Sequence, residues 1–301
     1  MSSIRADRIV TLYFFRPLHK LAGGPGAKRI PILMYHSISD SAANGRHPYY
    51  DTRTSPRVFD QHMKLLHNNN YTVISPEAVV AQFNQKDFEN RKCAVITFDD
   101  GFRDFYTNAF PILSKYGFTA TMYLPTAYIQ EQTQSFKGID CLSWNEVREL
   151  HRAGMQFGSH TVTHPVLKQV SHSELETEVG RSKQTIEQEL GAAVTSFAYP
   201  YAFPEEDREF TGRLRGALEN AGYQNGVSTV IGSTHAPEDK FFMKRLPANS
   251  WDDPALLEAK LAGDYDWLRT PQKLHKFAHH NLRVLRSSVR MDRKKSGETV
   301  L

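Results

Sequence analysis

The sequence is short of most features that would narrow its class by themselves. It holds two cysteines, Cys93 and Cys141, far apart and without CxxC spacing. That excludes a disulfide framework and a cysteine-rich metal site, and leaves Cys93, set in an apolar run, as a small core residue. No stretch reaches the roughly 18 uncharged apolar residues of a membrane-spanning helix. The N-terminal RADRIVTLYFFRPLHKL has too short an apolar centre and no small-residue cleavage site, so it does not read as a secretory signal. Without signal or span, a cytoplasmic or membrane-surface location is expected. The formal charge of +4 is too mild to argue for a nucleic-acid partner, and none is expected. No internal repeat of fixed period is present.

What remains is ordinary in amount and informative in order. A hydrophobic content of 40% with 23% charged residues suits a globular protein with a sizeable core. Short apolar runs alternate with helical patterns along most of the chain. Arg29 to His36 reads as a buried strand with a polar tip, as do Cys93–Phe98, Thr119–Leu124, Met155–Gly158, Thr195–Tyr199 and Gly226–Ile231. Tyr71–Ile74 is a further short strand. Ser55-Pro56 and Ser75-Pro76 are helix starts, and Phe105–Tyr116 is helical with Pro111 tightening it. Ser143-Trp-Asn-Glu146 and Ser173-Glu-Leu-Glu176 fit capping boxes, and Asp253–Gly263 is the last clear helix. Such alternation predicts a parallel sheet, and its number of units favours closure into a (β/α) barrel of seven to eight strands over an open sheet.

Two ends of the chain stand apart. Residues 1–28 form an N-terminal helical segment closed by the breaker AGGPG at Ala22–Gly26. This segment either packs on the domain or lies as an amphipathic stretch on a membrane surface. Residues 29–264 are the barrel domain. Residues 265–301 are a basic tail: between Arg269 and Lys295 it carries nine Arg or Lys and one acid, Asp292. It reads as a solvated tail or as a contact for an anionic surface.

The chemistry concentrates in VITFDDGFRD, Val95 to Asp104, where a buried strand ends in two adjacent carboxylates, Asp99 and Asp100, followed by Gly101. Asp-Gly also closes ordinary turns. Side-by-side carboxylates repel each other and call for a cation, a shared proton or free solvation. A second stretch, His160-Thr-Val-Thr-His164, offers two imidazoles spaced to grip one metal ion. No glutamate sits beside His160, so another segment has to supply both a third ligand and a base; Asp99 and Asp100 offer one of each. His36, at a strand tip, is either a core histidine or a site residue.

TFDDG at Thr97–Gly101, SHTVTH at Ser159–His164 and Pro200-Tyr201 in FAYPYA resemble, in this order, the motifs of the polysaccharide deacetylases, the NodB-homology domain of carbohydrate esterase family four. The resemblance runs from about Ile30 to Gly263. It implies a distorted (β/α) barrel and a hydrolase that removes N-acetyl groups from an amino-sugar glycan, using water activated by a divalent metal. By that resemblance Asp99 is the base, and Asp100, His160 and His164 bind the metal, usually zinc, with cobalt or nickel as alternatives. The Tyr201 backbone N–H would hold the oxyanion. The family's third motif opens with an arginine that orients the base; here Ala198 stands there, and Arg245 in KRLP is the candidate replacement. The family's C-terminal Leu-x-His has no good match, since Ser233-Thr-His235 lacks the leucine. LMYHSI at Leu33–Ile38 instead resembles the poly-N-acetylglucosamine deacetylases, in which a histidine-bearing strand precedes the first motif, and this gives His36 the acid role. Tyr199, Pro200, Tyr201 and Trp251 are candidates to line the sugar site. Two other readings stay open: a carbohydrate-binding protein that kept the fold without turnover, and a metal esterase or amidase acting on another acetylated compound.

Overall fold

The computed structural model describes residues 5–22, 29–40, 51–82, 92–235 and 239–274. Seven strands build its centre: β1 (Ile32–Tyr35), β2 (Cys93–Phe98), β3 (Thr121–Leu124), β4 (Gln156–Ser159), β5 (Ser196–Ala198), β6 (Asn225–Ile231) and β7 (Met243–Pro247). From β2 to β7 each strand pairs in parallel with the next in the chain. β1 closes the ring by pairing in parallel with both β7 and β2. The expected barrel is therefore present with seven strands in the ring, and its first strand precedes the DDG strand. The short strand Thr72–Val73 lies outside the ring against Cys93–Ala94.

Every residue of β2 is buried. A strand covered on both faces shows no alternation of polarity, which is why it reads as a continuous apolar run. Alternation still decides where side chains point. Val95, Tyr123, Ala198, Val227 and Met243 meet inside the ring with Ile30 and Ile32. Their neighbours Leu33, Tyr35, Ile96, Phe98, Met122, Leu124 and Phe197 belong to the larger core between strands and helices. The inward register carries on to the strand tips, so Thr97 and Asp99 follow Val95, His160 follows Gly158, and Arg245 follows Met243.

The helices start and stop largely where their caps dictate. Ser55 caps Pro56–Asn68 through the Val58 N–H, and Ser143 with Glu146 forms the expected capping box of Trp144–Arg152. One start differs from expectation. The helix His172–Leu190 is boxed by Ser171 and Glu174, two residues ahead of the expected Ser173/Glu176 pair. Both pairs satisfy the same Ser-x-x-Glu spacing, and the chain uses the earlier one. The Phe105–Tyr116 helix is split into wider π winding over Phe105–Ala109 and an α-helix over Phe110–Lys115, with Pro111 in its first turn. The loop 126–142 contains a small hairpin, Ser135–Phe136 against Ile139–Asp140.

The N-terminal segment is helical over Ala6–Val10, Thr11–Phe15 and Arg16–Leu21. It lies along the helix Pro254–Leu261, with Arg8 on Asp253, Arg16 on Glu258 and His19 on Asp264. Beginning the tail at residue 265 proves too early. Tyr265 and Leu268 are buried, Tyr265 donates to Asp7 at 2.6 Å, and Trp267 stacks on Phe15 at 5.1 Å. Residues 41–50 of the 39–54 loop, Phe83 of the Ser75-Pro76 helix and the tail beyond Leu274 lie outside the described residues.

Gly158 is the closest-packed point of the ring. A Cβ built there would lie 2.4 Å from Tyr123 Cε1 and 2.8 Å from the Ser196 carbonyl oxygen. The Tyr123 ring is fixed by its hydroxyl, 2.8 Å from Ser196 Oγ, so it cannot swing away without losing that bond. Gly158→Ala is expected to destabilise the protein by about 1–3 kcal/mol through overpacking. Thermal unfolding of the two proteins measures this, and an unchanged midpoint would show that the interior can yield.

Candidate active site

The C-terminal ends of β1, β2, β4 and β5 converge on one mouth, the face of a parallel barrel where functional groups gather. Tyr35 stands opposite Phe98 in the register of β1 and β2, so His36 and Asp99 leave adjacent strands side by side. The Asp99 N–H is held by the Tyr35 carbonyl at 3.0 Å. Next in the chain, Asp100 turns the backbone with a φ of 74°, followed by Gly101 at 65°. A larger residue at Gly101 would be strained at this φ and would push on Ile129, since a Cβ there would come within 2.9 Å of Ile129 Cδ1. The turn sends the two neighbouring carboxylates to different partners.

Asp100 meets the histidines. His164 Nε2 lies 3.2 Å and His160 Nε2 3.7 Å from its Oδ1, and one ligand atom from each of the three residues falls within 4.8 Å of the others. His160 points Nε2 inward because its Nδ1 sits 2.8 Å from the Ala198 carbonyl oxygen, which acts as acceptor and fixes the tautomer. Burial pushes the His160 pKa down to about 4, which keeps the ring neutral, the form that binds metal. Burial works against ionised Asp100 as well, but the bond to His164, with His36, His160 and Lys137 close by, outweighs it and holds the carboxyl well below its usual range.

Asp99 meets Arg245. The guanidinium Nη1 and Nη2 donate to Asp99 Oδ1 and Oδ2, each at 2.7 Å, forming a two-pronged pair with no exposed arginine surface. Its remaining donors reach the Ser228 carbonyl at 2.9 Å and Thr97 Oγ1 at 3.2 Å. Burial alone would raise the pKa of Asp99; the charge of Arg245 reverses this and leaves it below the ordinary value. Arg245 thus reaches, from β7, the carboxylate expected to need an arginine, while Ala198 on β5 is packed inside the ring. Burial also lowers the pKa of His36, against the pull of Asp100 and Asp99.

The sugar-site candidates divide. The Tyr201 ring is 49% exposed and lies edge-on to His164 at 4.5 Å, and Trp251 is 43% exposed on the loop that follows β7. Tyr199 has to be corrected: it is 1% exposed with its ring against Phe203 and Phe210, and Pro200 is buried too. Ala198 faces into the ring, so the next residue must face the outer core. His235 pairs with Arg29 ahead of β1, at the opposite end of the barrel from His36.

Two contributors were not visible in the sequence. Lys137, at the tip of the small hairpin, brings Nζ to 3.1 Å from Asp100 Oδ2 and lies over the rings of Phe136 and Tyr201. Glu178, on the helix His172–Leu190, accepts from the backbone N–H groups of Val162 and Thr163 at 2.8 and 2.9 Å, fixing the loop between the two histidines. A Lys-Gly turn and a mid-helix glutamate are too common to single out.

A closed parallel barrel that gathers one carboxylate and two imidazoles at its mouth, beside a second carboxylate held by an arginine, has the makeup of a metal-dependent hydrolase site. The sequence profile described as "Polysaccharide deacetylase" matches residues 86–226. The Bacillus subtilis (strain 168) protein named "Putative polysaccharide deacetylase YxkH" is 30% identical over 218 residues, 72% of this chain and 71% of YxkH. The chain belongs to the polysaccharide deacetylase family, whose members are hydrolases acting on carbon–nitrogen bonds other than peptide bonds. Its fold is similar to that of Streptococcus pyogenes deacetylase PplD, solved in complex with acetate, with a TM-score of 0.66 and 27% identity over 78% of this chain and 99% of that one. Poly-beta-1,6-N-acetyl-D-glucosamine N-deacetylase of Staphylococcus aureus (strain N315) is 24% identical over 162 residues, 50% of this chain and 52% of that protein.

Arg245→Met would leave Asp99 buried without its partner. The expected loss is about 3–5 kcal/mol of stability, read as a lower denaturant midpoint. Arg245→Lys should recover part of it, because an ammonium restores the charge without the planar fork. Equal stability of the Met variant and the parent would mean that the pair does not hold Asp99.

Proposed function

We propose that the chain is a metal-dependent N-deacetylase of an amino-sugar polysaccharide, with Asp99 as general base, His36 as general acid and Asp100, His160 and His164 as the metal ligands. The observation that carries this reading is the division of the adjacent carboxylates: Asp99 is bound by Arg245, and Asp100 faces the two histidines. The donor set fits a divalent cation. One carboxylate and two imidazoles, all buried, are the three-ligand makeup of catalytic zinc sites, which leave a position open. The His164 Nδ1 is buried without a hydrogen-bond partner among the described residues, and the rotamer keeps Nε2 toward Asp100. Zinc suits this set best, and cobalt or nickel can take the same donors. When bound, such a cation polarises a carbonyl and lowers the pKa of a coordinated water.

The chain's own groups supply the rest. Asp99 takes a proton from water as the water oxygen adds to the acetamide carbon. Arg245 keeps Asp99 ionised and fixed in angle, the positioning part played in the family by the arginine that Ala198 replaces. The backbone N–H of Tyr201, whose φ of 58° sets it in an uncommon conformation, is assigned to the developing oxyanion. His36, protonated before this step with its charge favoured by the adjacent Asp100 and Asp99 carboxylates against the burial that lowers its pKa, gives that proton to the departing nitrogen as the carbon–nitrogen bond breaks, yielding acetate and a free amine. Tyr201 and Trp251 present exposed faces to the sugar rings. The poly-N-acetylglucosamine class is supported by the position of the His36 strand ahead of the DDG strand and by the partial match to the staphylococcal enzyme.

Acetate release from N- and O-acetylated glycans, with and without chelator, tests this reading. Activity should be confined to N-acetylated substrates, vanish with chelator and return with zinc or cobalt. Asp99→Asn should lower turnover by about a hundred-fold or more while the metal content of the protein is unchanged. Sugar binding without acetate release across the whole panel would instead favour the carbohydrate-binding reading, and full activity of the Asn variant would remove Asp99 from the role of base.

A further inference from the structure

A helix that lies on a domain ordinarily buries its apolar stripe and shows its charges to water. The N-terminal helix does the reverse. Its charged groups face the domain: Arg5 and Asp7 are buried, and Arg8, Arg16 and His19 pair with Asp253, Glu258 and Asp264 along the neighbouring helix. Thr11 is also buried, accepting at 3.0 Å from the Trp267 indole N–H. The outward face carries Ile9, Tyr13, Phe14, Leu18 and Leu21, which are 47%, 73%, 61%, 50% and 87% exposed. Ile9, Tyr13 or Phe14, Leu18 and Leu21 follow one another at three to five residues, with Tyr13 and Phe14 adjacent, so they share one continuous strip, with exposed Pro17 between them. Nine large apolar side chains are exposed among the described residues, and five of them are on this helix. An apolar face gathered in this way marks a contact surface rather than the scattered exposure of an ordinary exterior.

Charge tells which surface fits. The only charged residue on the outward side of the helix is Lys20. The described residues end at Leu274, shortly after Trp267, which stacks on Phe15 of the same helix, and the sequence from 275 to 301 carries seven Arg or Lys against two acids, Asp292 and Glu298. A second copy of the chain docked on this face would bring two such basic segments together. An anionic bilayer complements both features, taking aromatic and aliphatic side chains into its interface while its headgroups meet the basic residues. We propose that the N-terminal helix seats this protein on an anionic membrane surface, with the basic C-terminal segment as the electrostatic second signal. The helix begins just after Arg5, which lies beside Asp252 in the loop after β7, and reaches Asp264 near the far end of the barrel. Seated on this side, the barrel would open its mouth along the bilayer. The proposal does not depend on the deacetylase reading.

Co-sedimentation of the full chain with vesicles of phosphatidylglycerol and phosphatidylcholine in equal parts tests it. The protein should pellet with these vesicles, less with phosphatidylcholine alone, and less at high salt. The triple variant Tyr13→Gln, Phe14→Gln, Leu18→Gln keeps helix-compatible side chains at positions that face away from the domain, and should lower the bound fraction about ten-fold, with an unchanged unfolding midpoint. Leu21→Gln, at the helix end, should give a smaller loss in the same direction and serves if the triple variant does not fold. The proposal is overturned if the parent stays in the supernatant or if the triple variant pellets as the parent does. It is also overturned if light scattering shows a dimer that the same substitutions dissolve.

Discussion

Arg245 and Asp99 are opposite charges enclosed in the barrel with almost no solvent contact, and the cost of burying either one alone dictates what surrounds them. The guanidinium spends its donors on Asp99, Thr97 Oγ1 and the Ser228 carbonyl, and Thr97 in turn donates to the Leu33 carbonyl at 2.7 Å. One polar network thereby ties β7, β2, β6 and β1 together just beneath the mouth. Tyr123 lies under the guanidinium and is itself pinned to Ser196. Ala198 then has a simple meaning: the strand two places round the ring supplies the cation instead. Asp99 is satisfied by Arg245, so Asp100 is the carboxylate available to the histidines.

The backbone at this mouth is unusual in the same places. Among the described residues with side chains, φ is positive at Asn70, Asp100, Lys137, Thr161, His164 and Tyr201, and all but Asn70 lie at the mouth. For a β-branched residue such as Thr161 this conformation is costly. It persists because Thr161 Oγ1 accepts from the His164 N–H at 3.0 Å and Glu178 holds the next two amides. Strain concentrated where ligands converge is a common property of functional sites.

Much of this could be read from the sequence, for identifiable reasons. The barrel followed from strands buried on both faces, whose runs are unbroken, and from helices whose caps are spelled out at Ser55 and Ser143. That Asp100, His160 and His164 come together as a group able to hold a metal ion agrees with the family motifs and their order. Arg245 could be nominated but not placed, because pairing across the ring sets which strands face each other. Tyr199 was misassigned although period-two alternation settles it once Ala198 is known to point inward. The capping box at Ser171 was missed because two overlapping Ser-x-x-Glu patterns compete. Lys137 depends on a hairpin of two-residue strands, too short to leave a periodic signal. The reversed face of the N-terminal helix was likewise hidden: the sequence shows an amphipathic stretch, and only the partners of Arg8, Arg16 and His19 reveal which side is turned outward.

The central claim is that the two adjacent carboxylates have separate tasks, one bound to an arginine and one to a metal. Anomalous diffraction from crystals soaked in zinc tests it most directly. The predicted result is a single zinc peak bounded by Asp100, His160 and His164, with Asp99 outside the coordination sphere and still paired with Arg245. A peak that includes Asp99 as a ligand, or a zinc bound away from these three residues, would contradict it.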